Sequence, residues 1–311
     1  MNSFLSKFRS QVFEGAIDLF KKVFVQHLFL YLIITIISLL IVMPLMIYGL
    51  GWTLTDLINI EQTSQTIIEG INKGADPEEL ILGLFSNVNY GILFLAGIIS
   101  LFINSFSYIV FLKINQNKVF DTNFTLVDHI KSTSFSAILK MIGFYFLLML
   151  LISASFLLFF VIIFRIALLS KVLAILLGFF GFFFVCIFLC RFTLALPALI
   201  HGNLSITNAF GYSFVNLTWK RAGLLFLMSI ALFIAFGVIS AILSLITLPL
   251  KSDAGEISYI YFALQQVTSF IAGIVMLSFS FSALSALYYR YSADENQEED
   301  NIEKHLIDPL E

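Results

Sequence analysis

Long apolar runs separated by short polar breaks make up most of this chain. Six stand out, over residues 27–50, 90–112, 141–164, 172–191, 222–248 and 259–289. About 20 apolar residues, at 1.5 Å per helical residue, cross a hydrocarbon core roughly 30 Å thick. The pattern therefore predicts an all-α membrane protein with six transmembrane helices. Pro44 predicts a kink near the far end of the first span. Three further stretches precede the first, third and fifth spans, over residues 12–26, 124–140 and 205–219. Each alternates apolar residues at helical spacing with polar ones. In the first, Phe13, Ala16, Phe20, Val23 and Phe24 share a stripe, while Glu14, Asp18, Lys21 and Lys22 lie around it. In the third, Ala209, Phe210, Phe214 and Leu217 share a side. These predict three cytoplasmic interfacial amphipathic helices with lysine stems snorkelling. A helix packed under the membrane domain fits the first stretch equally well, since both arrangements need one apolar stripe.

The connections carry their own signals. Residues 51–89 are polar and acidic, with Asp56, Glu61, Glu69, Asp76, Glu78 and Glu79 against Lys73. Asp76 followed by Pro77 predicts a helix start there. Residues 290–311 form an acidic tail, expected to be flexible except for a short docking helix around Ile302, Leu306 and Ile307. The stretch 186–223 organises the rest: a span ends at Arg191, a segment containing Pro197 carries the chain onto the membrane surface, and an amphipathic helix leads into the next span. Placing Ala16 over Ala209 brings Phe20 onto Ser213, Phe24 onto Leu217 and His27 onto Lys220. This predicts a loosely repeated unit of helix, span, span.

Composition agrees with lipid as the main solvent. The 311 residues are 59% hydrophobic and 12% charged, with 36 Phe and a mean hydropathy of +0.98. A soluble chain carries about 25% charged residues. The net charge of −3 and the lack of a basic cluster argue against nucleic acid as a partner. The first apolar run starts too late and is too long for a cleavable signal, so residues 1–26 are expected in the mature protein. Of the 17 Lys and Arg residues, only Lys73, Arg165, Lys171 and Lys251 fall on one side of a six-span layout. The excess on the other side predicts cytoplasmic N- and C-termini in the cell inner membrane, with 51–89 outside.

Candidate chemistry is sparse. Cys186 and Cys190 share a helix face with no metal-completing neighbours and read as apolar packing residues. His27, His129, His201 and His305 form no metal-spaced pair, so no metal or cofactor is expected. Asn104, inside the second span, predicts a bond across to a neighbouring helix, with a substrate contact as the alternative. Ser278, Ser282 and Ser285 predict a small-residue face for close helix approach. Two roles fit Arg191, at the cytoplasmic end of the fourth span: a structural anchor, snorkelling or bonding the helix-end carbonyls around Pro197, or a ligand for a lipid phosphate. Lys21, Lys22, Lys220 and Arg221 are further candidates for interface or lipid-phosphate contact. No acid or base falls at mid-depth, as ion-coupled transport usually requires.

The phrase Arg191-Phe192-Thr193-Leu194-Ala195-Leu196-Pro197-Ala198, followed by Ala209 and Ser213, resembles the membrane domain attached to some glycerophosphoryl diester phosphodiesterases. It is similar also to that domain's free-standing bacterial relatives. The resemblance covers the six-span layout and is sharpest over 186–221. In that family catalysis belongs to a separate soluble barrel, for which this chain has no room. The resemblance thus implies an integral membrane module rather than a diesterase. The leading expectation is a non-enzymatic accessory, scaffold or lipid-interacting protein whose partners are the bilayer, anionic lipid or another membrane protein. Alternatives are a transporter or channel for a lipid-like solute, and a membrane enzyme using Arg191 with Asp128 or His129.

Overall fold

The computed structural model describes residues 12–52, 88–122, 124–168, 170–247 and 259–307, and every regular element among them is helical. In chain order these are α1 (Val12–Ile37), a π-helical turn (Ser38–Val42), α2 (Met43–Leu50), α3 (Tyr90–Val119), α4 (Leu126–Lys131) and α5 (Phe135–Ala167). Then come α6 (Lys171–Cys190), α7 (Ala195–His201), α8 (Ile206–Asn216), α9 (Trp219–Thr247) and α10 (Tyr259–Ile307). Among the described residues, Phe13–Leu50, Tyr90–Val119, Phe135–Ala167, Lys171–His201 and Gln266–Ser292 are long and apolar enough to cross a membrane. Ile206–Asn216 and Trp219–Ala235, bent by 95°, add a sixth if they form one span. The architecture is compatible with a multi-pass membrane protein. The predicted helix start at Asp76 and Pro77 and the turn at 249–255 lie outside the described residues.

The first predicted boundary is absent. Residues 12–26 and the span after them form one helix, Phe13–Leu50, 38 residues long and ~57 Å in length. Lys21, Lys22, Gln26 and His27 interrupt the hydropathy but are ordinary helix residues, so they do not interrupt the backbone. Its apolar stripe is turned inward, with Ala16, Leu19 and Val23 buried. The π-helical turn ends two residues before Pro44, whose ring crowds the carbonyl four residues back and which has no N–H to donate. Gly51 ends α2 in the left-handed conformation (φ 69°). At Gly49 a β-carbon would stand 2.7 Å from Leu93 Cδ2, so only glycine lets α2 and α3 approach this closely.

The middle stretch, predicted as one amphipathic helix over 124–140, is two pieces. Thr125 and Asp128 form a capping box that starts α4. The helix stops at Ser132, and Ser134 caps α5, which already contains residues 135–140 of the following span. The segment after Arg191 is covered by protein: Ala195, Pro197, Ala198 and Leu199 of α7 are buried, because small side chains let α7 pack against its neighbours. The chain beyond Arg290, expected to be flexible, continues α10 to Ile307.

The core gathers around α10. Its Ser278, Ser282, Ser285 and Ala286 are fully buried, and these small residues let α1 and α3 come close. Phe111 of α3 stacks on Phe281 at 5.3 Å and meets the His27 ring edge-on at 4.6 Å. Helices α1 and α10 run antiparallel: His27 pairs with Ser278, and Tyr31, one turn on, with Phe270. By contrast, the most apolar 18-residue window of α5 has no buried residue. Many large apolar side chains along α5 and α6 are exposed, among them Leu157, Phe160, Ile175 and Phe180.

Candidate functional site

The 95° corner between α8 and α9 is held by a reciprocal clamp. Arg191 Nε donates to Leu217 O (2.8 Å) and Nη2 to Phe214 O (2.6 Å). These carbonyls lie at the C-terminal end of α8, where helical partners run out and a cation is favoured. The guanidinium also stacks over Phe214, with Cζ 3.5 Å from the ring centroid, and stands 5.2 Å from that of Trp219. In return, Ser213 Oγ donates to Arg191 O (2.7 Å) and accepts from Leu194 N–H (2.9 Å). The serine thereby satisfies the groups freed where α6 turns into α7. Of the two roles predicted for Arg191, the structure shows the anchor. The carbonyls it holds belong to α8, however, and not to the Pro197 segment. The corner exposes Trp219, Lys220 and Arg221. Arg221 Nη1 donates to Asn216 O at 3.0 Å.

A polar seam runs through the helix core. His27 Nδ1 is 2.8 Å from Ser278 Oγ, and Ser282 Oγ donates to Ser278 O (2.8 Å). Ser285 Oγ accepts from Asn115 Nδ2 (3.1 Å) and lies 3.0 Å from His201 Nε2. Sequence reasoning foresaw the serines as spacers only, and the seam as built ties α1, α3 and α7 to α10. Ser285 and His201 have the spacing of a nucleophile and base. The hydroxyl is completely buried and already accepts from Asn115, so the geometry is that of interhelical bonding. His27 Nε2, His201 Nδ1 and Asn115 Oδ1 are buried with no partner among the described residues.

The remaining candidates are dispersed. Asn104 is exposed and donates to Ser100 of its own helix (3.3 Å), so the predicted cross-helix bond is made by Asn115 instead. Lys21 and Lys22 are exposed on α1. Asp128 faces Thr125, receiving its N–H (2.8 Å) and its hydroxyl (2.7 Å). These bonds hold the carboxyl below its ordinary pKa, the side-chain bond most strongly. His129 is buried beside Asn117, whose Nδ2 is 3.2 Å from His129 Nδ1. Burial and then the nearby Lys113 push its pKa down. Arg191, Asp128 and His129 therefore have separate partners on separate elements. Cys186 and Cys190 are free thiols. Among the described residues, no three or more His, Cys, Asp or Glu side chains gather as a metal site would require.

Cavities open beside these features. One of about 410 Å³ lies between α5 and α6 and is lined almost wholly by apolar residues. A smaller one of about 280 Å³ is bordered by Lys113, Lys140, Ser134, Ser136 and Asn203. No family model, curated protein or solved structure matches this chain.

Proposed function

We propose that the chain is a non-enzymatic integral membrane module that engages anionic lipid at its cytoplasmic face, as an accessory or scaffold protein of the inner membrane. The observation that carries this reading is the clamped corner. Arg191 and Ser213 fix a bend whose exposed apex bears Trp219, Lys220 and Arg221. An aromatic ring beside two cations is the pattern of a membrane–water interface. The clamp residues fall within the phrase that resembles the phosphodiesterase-associated membrane domain, and membership of that group is part of the proposal. The antiparallel pairing of α1 with α10 supports termini on one side, as six spans require.

The test neutralises Lys21, Lys22, Lys220 and Arg221 to Gln in the full chain. Native-lipid particles are then extracted and their lipids quantified by mass spectrometry. A basic residue near an anionic leaflet contributes about 1 kcal/mol, so each substitution should reduce anionic-lipid enrichment by about fivefold. Unchanged enrichment in a variant with wild-type helicity would sink the proposal.

A further inference from the structure

The cleft between α9 and α10 joins a basic end to an apolar trough. Its volume is about 460 Å³, within the range of small-molecule sites. Arg221, Arg290 and Tyr291 stand at one end, and Leu224, Met228 and Leu232 line the α9 wall. Ala283, Leu284 and Leu287 line the α10 wall, and among the described residues no acidic side chain borders the cleft. Arg221 is pre-positioned: Nη1 is held by Asn216 O, and Cζ lies 4.7 Å from the Tyr291 ring centroid. A guanidinium has five N–H donors, so most of those on Arg221 are left for a ligand. Arg290 has no hydrogen-bond or ion-pair partner among the described residues. The α9 wall from Arg221 to Leu232 extends ~16 Å along the helix. One leaflet of the hydrocarbon core is about 15 Å deep. Leu224 and Met228 are 56% and 41% exposed, so the trough opens sideways rather than into the protein core.

We propose that this cleft binds one anionic phospholipid from the surrounding bilayer. Its phosphate lies between Arg221 and Arg290, and one acyl chain lies along residues 224–232. Two guanidiniums at one end of the cleft match a phosphate whose headgroup carries no compensating amine. The apolar trough below them matches a chain one leaflet long. A free phosphate would leave that trough unfilled. The proposal deepens the lipid-binding reading by giving it a site and a ligand class. It also moves the phosphate-binding role from Arg191 to Arg221 and Arg290.

The experiment is native mass spectrometry of the detergent-purified full chain, titrated with phosphatidylglycerol or phosphatidylcholine. One tightly held phosphatidylglycerol per chain is expected, with weaker phosphatidylcholine adducts. Arg290→Gln should weaken phosphatidylglycerol about tenfold and leave phosphatidylcholine nearly unchanged, because it removes charge-assisted bonds to phosphate. Ala283→Leu, which narrows the trough, should weaken both lipids, with circular dichroism checking that each variant is folded. Phosphatidylglycerol binding unaffected by both substitutions overturns the proposal. So does displacement by inorganic phosphate with no dependence on acyl-chain length. The triple variant Lys21→Gln, Lys22→Gln, Lys220→Gln separates this site from the broader reading. Loss of the adduct only in the triple variant refutes the cleft and keeps surface binding. Loss only in the cleft variants supports the cleft and refutes surface binding through those lysines.

Discussion

Ser213 and Arg191 show how one side chain each can fix a corner of the chain. Replacing Ser213 with Ala leaves the Leu194 N–H and the Arg191 carbonyl without their side-chain partner in a buried place. The expected loss is about 2 kcal/mol, read as a lowered midpoint of denaturant unfolding in detergent. Arg191→Gln should cost a similar amount by releasing Phe214 O and Leu217 O. The two losses should add to less than their sum, because both break one clamp. Strict additivity would mean that the clamp is not a unit. Asn115 and Ser285 offer a second cycle. Interhelical hydrogen bonds in membranes contribute about 0.6 kcal/mol on average and at most about 1.7, so Asn115→Leu with Ser285→Ala should show coupling in that range. Arg191 was legible in the sequence because a lone cation at a span end needs a partner. Which partner was not legible, since Phe214 and Leu217 lie over 20 residues onward. His27 and Ser278 are 251 residues apart, and hydropathy says nothing of such pairings. Asn115 was missed because the predicted span stopped at residue 112, while α3 continues to Val119.

Elements were readable where the backbone itself is punctuated. Ser170 and Ser205 each cap a helix through their hydroxyls and Gly51 ends one, whereas the Ser134 cap falls inside the stretch expected to be one helix and was missed. Where only polarity changed, as at Gln26 and His27, no break exists, because helix propensity there is unaffected. The expected threefold repeat also differs at this level. Its first unit is one continuous helical run with a π-helical turn, its second is broken at Ser132–Ser134, and only its third has the clamped bend. Helix α4 carries a pH-dependent prediction. His129 is held below its ordinary pKa of 6.5. Such a group contributes its full stabilisation above that value and loses it as the pH falls through the depressed one. Protonation would place a third cation beside Lys113 and Lys118, against Asp128 alone. Asp128 stays ionised through this range, since its own pKa is lowered from 3.8. Amide hydrogen exchange over residues 117–133, corrected for intrinsic rates, should accelerate between pH 7 and pH 5. His129→Gln should abolish the pH dependence, and wild-type exchange that does not change over this interval would refute the role given to His129.

At the scale of the molecule, two observations constrain orientation independently. The pairs His27–Ser278 and Tyr31–Phe270 run α1 and α10 in opposite directions. The start of α1 and the end of α10 must then lie at the same end of the bundle, whichever way the protein is inserted. We propose that the distribution of Lys and Arg selects which way: in the six-span layout most basic residues fall on the side of the termini, and an excess of this kind marks the cytoplasmic side. Membrane-impermeant maleimide labelling tests both statements in a Cys186→Ala, Cys190→Ala background. A cysteine at Lys21 and one at Lys304 should behave alike, reacting only after the membrane is permeabilised. A cysteine at Lys73, in the acidic connection, should react in intact cells. If Lys21→Cys and Lys304→Cys label from opposite sides, the packing of α1 on α10 is wrong. If they label together from outside while Lys73→Cys is protected, the packing stands and the charge argument fails. The corner bearing Lys220 and Arg221 would then have to be assigned to the outer leaflet, and the cleft between α9 and α10 with it.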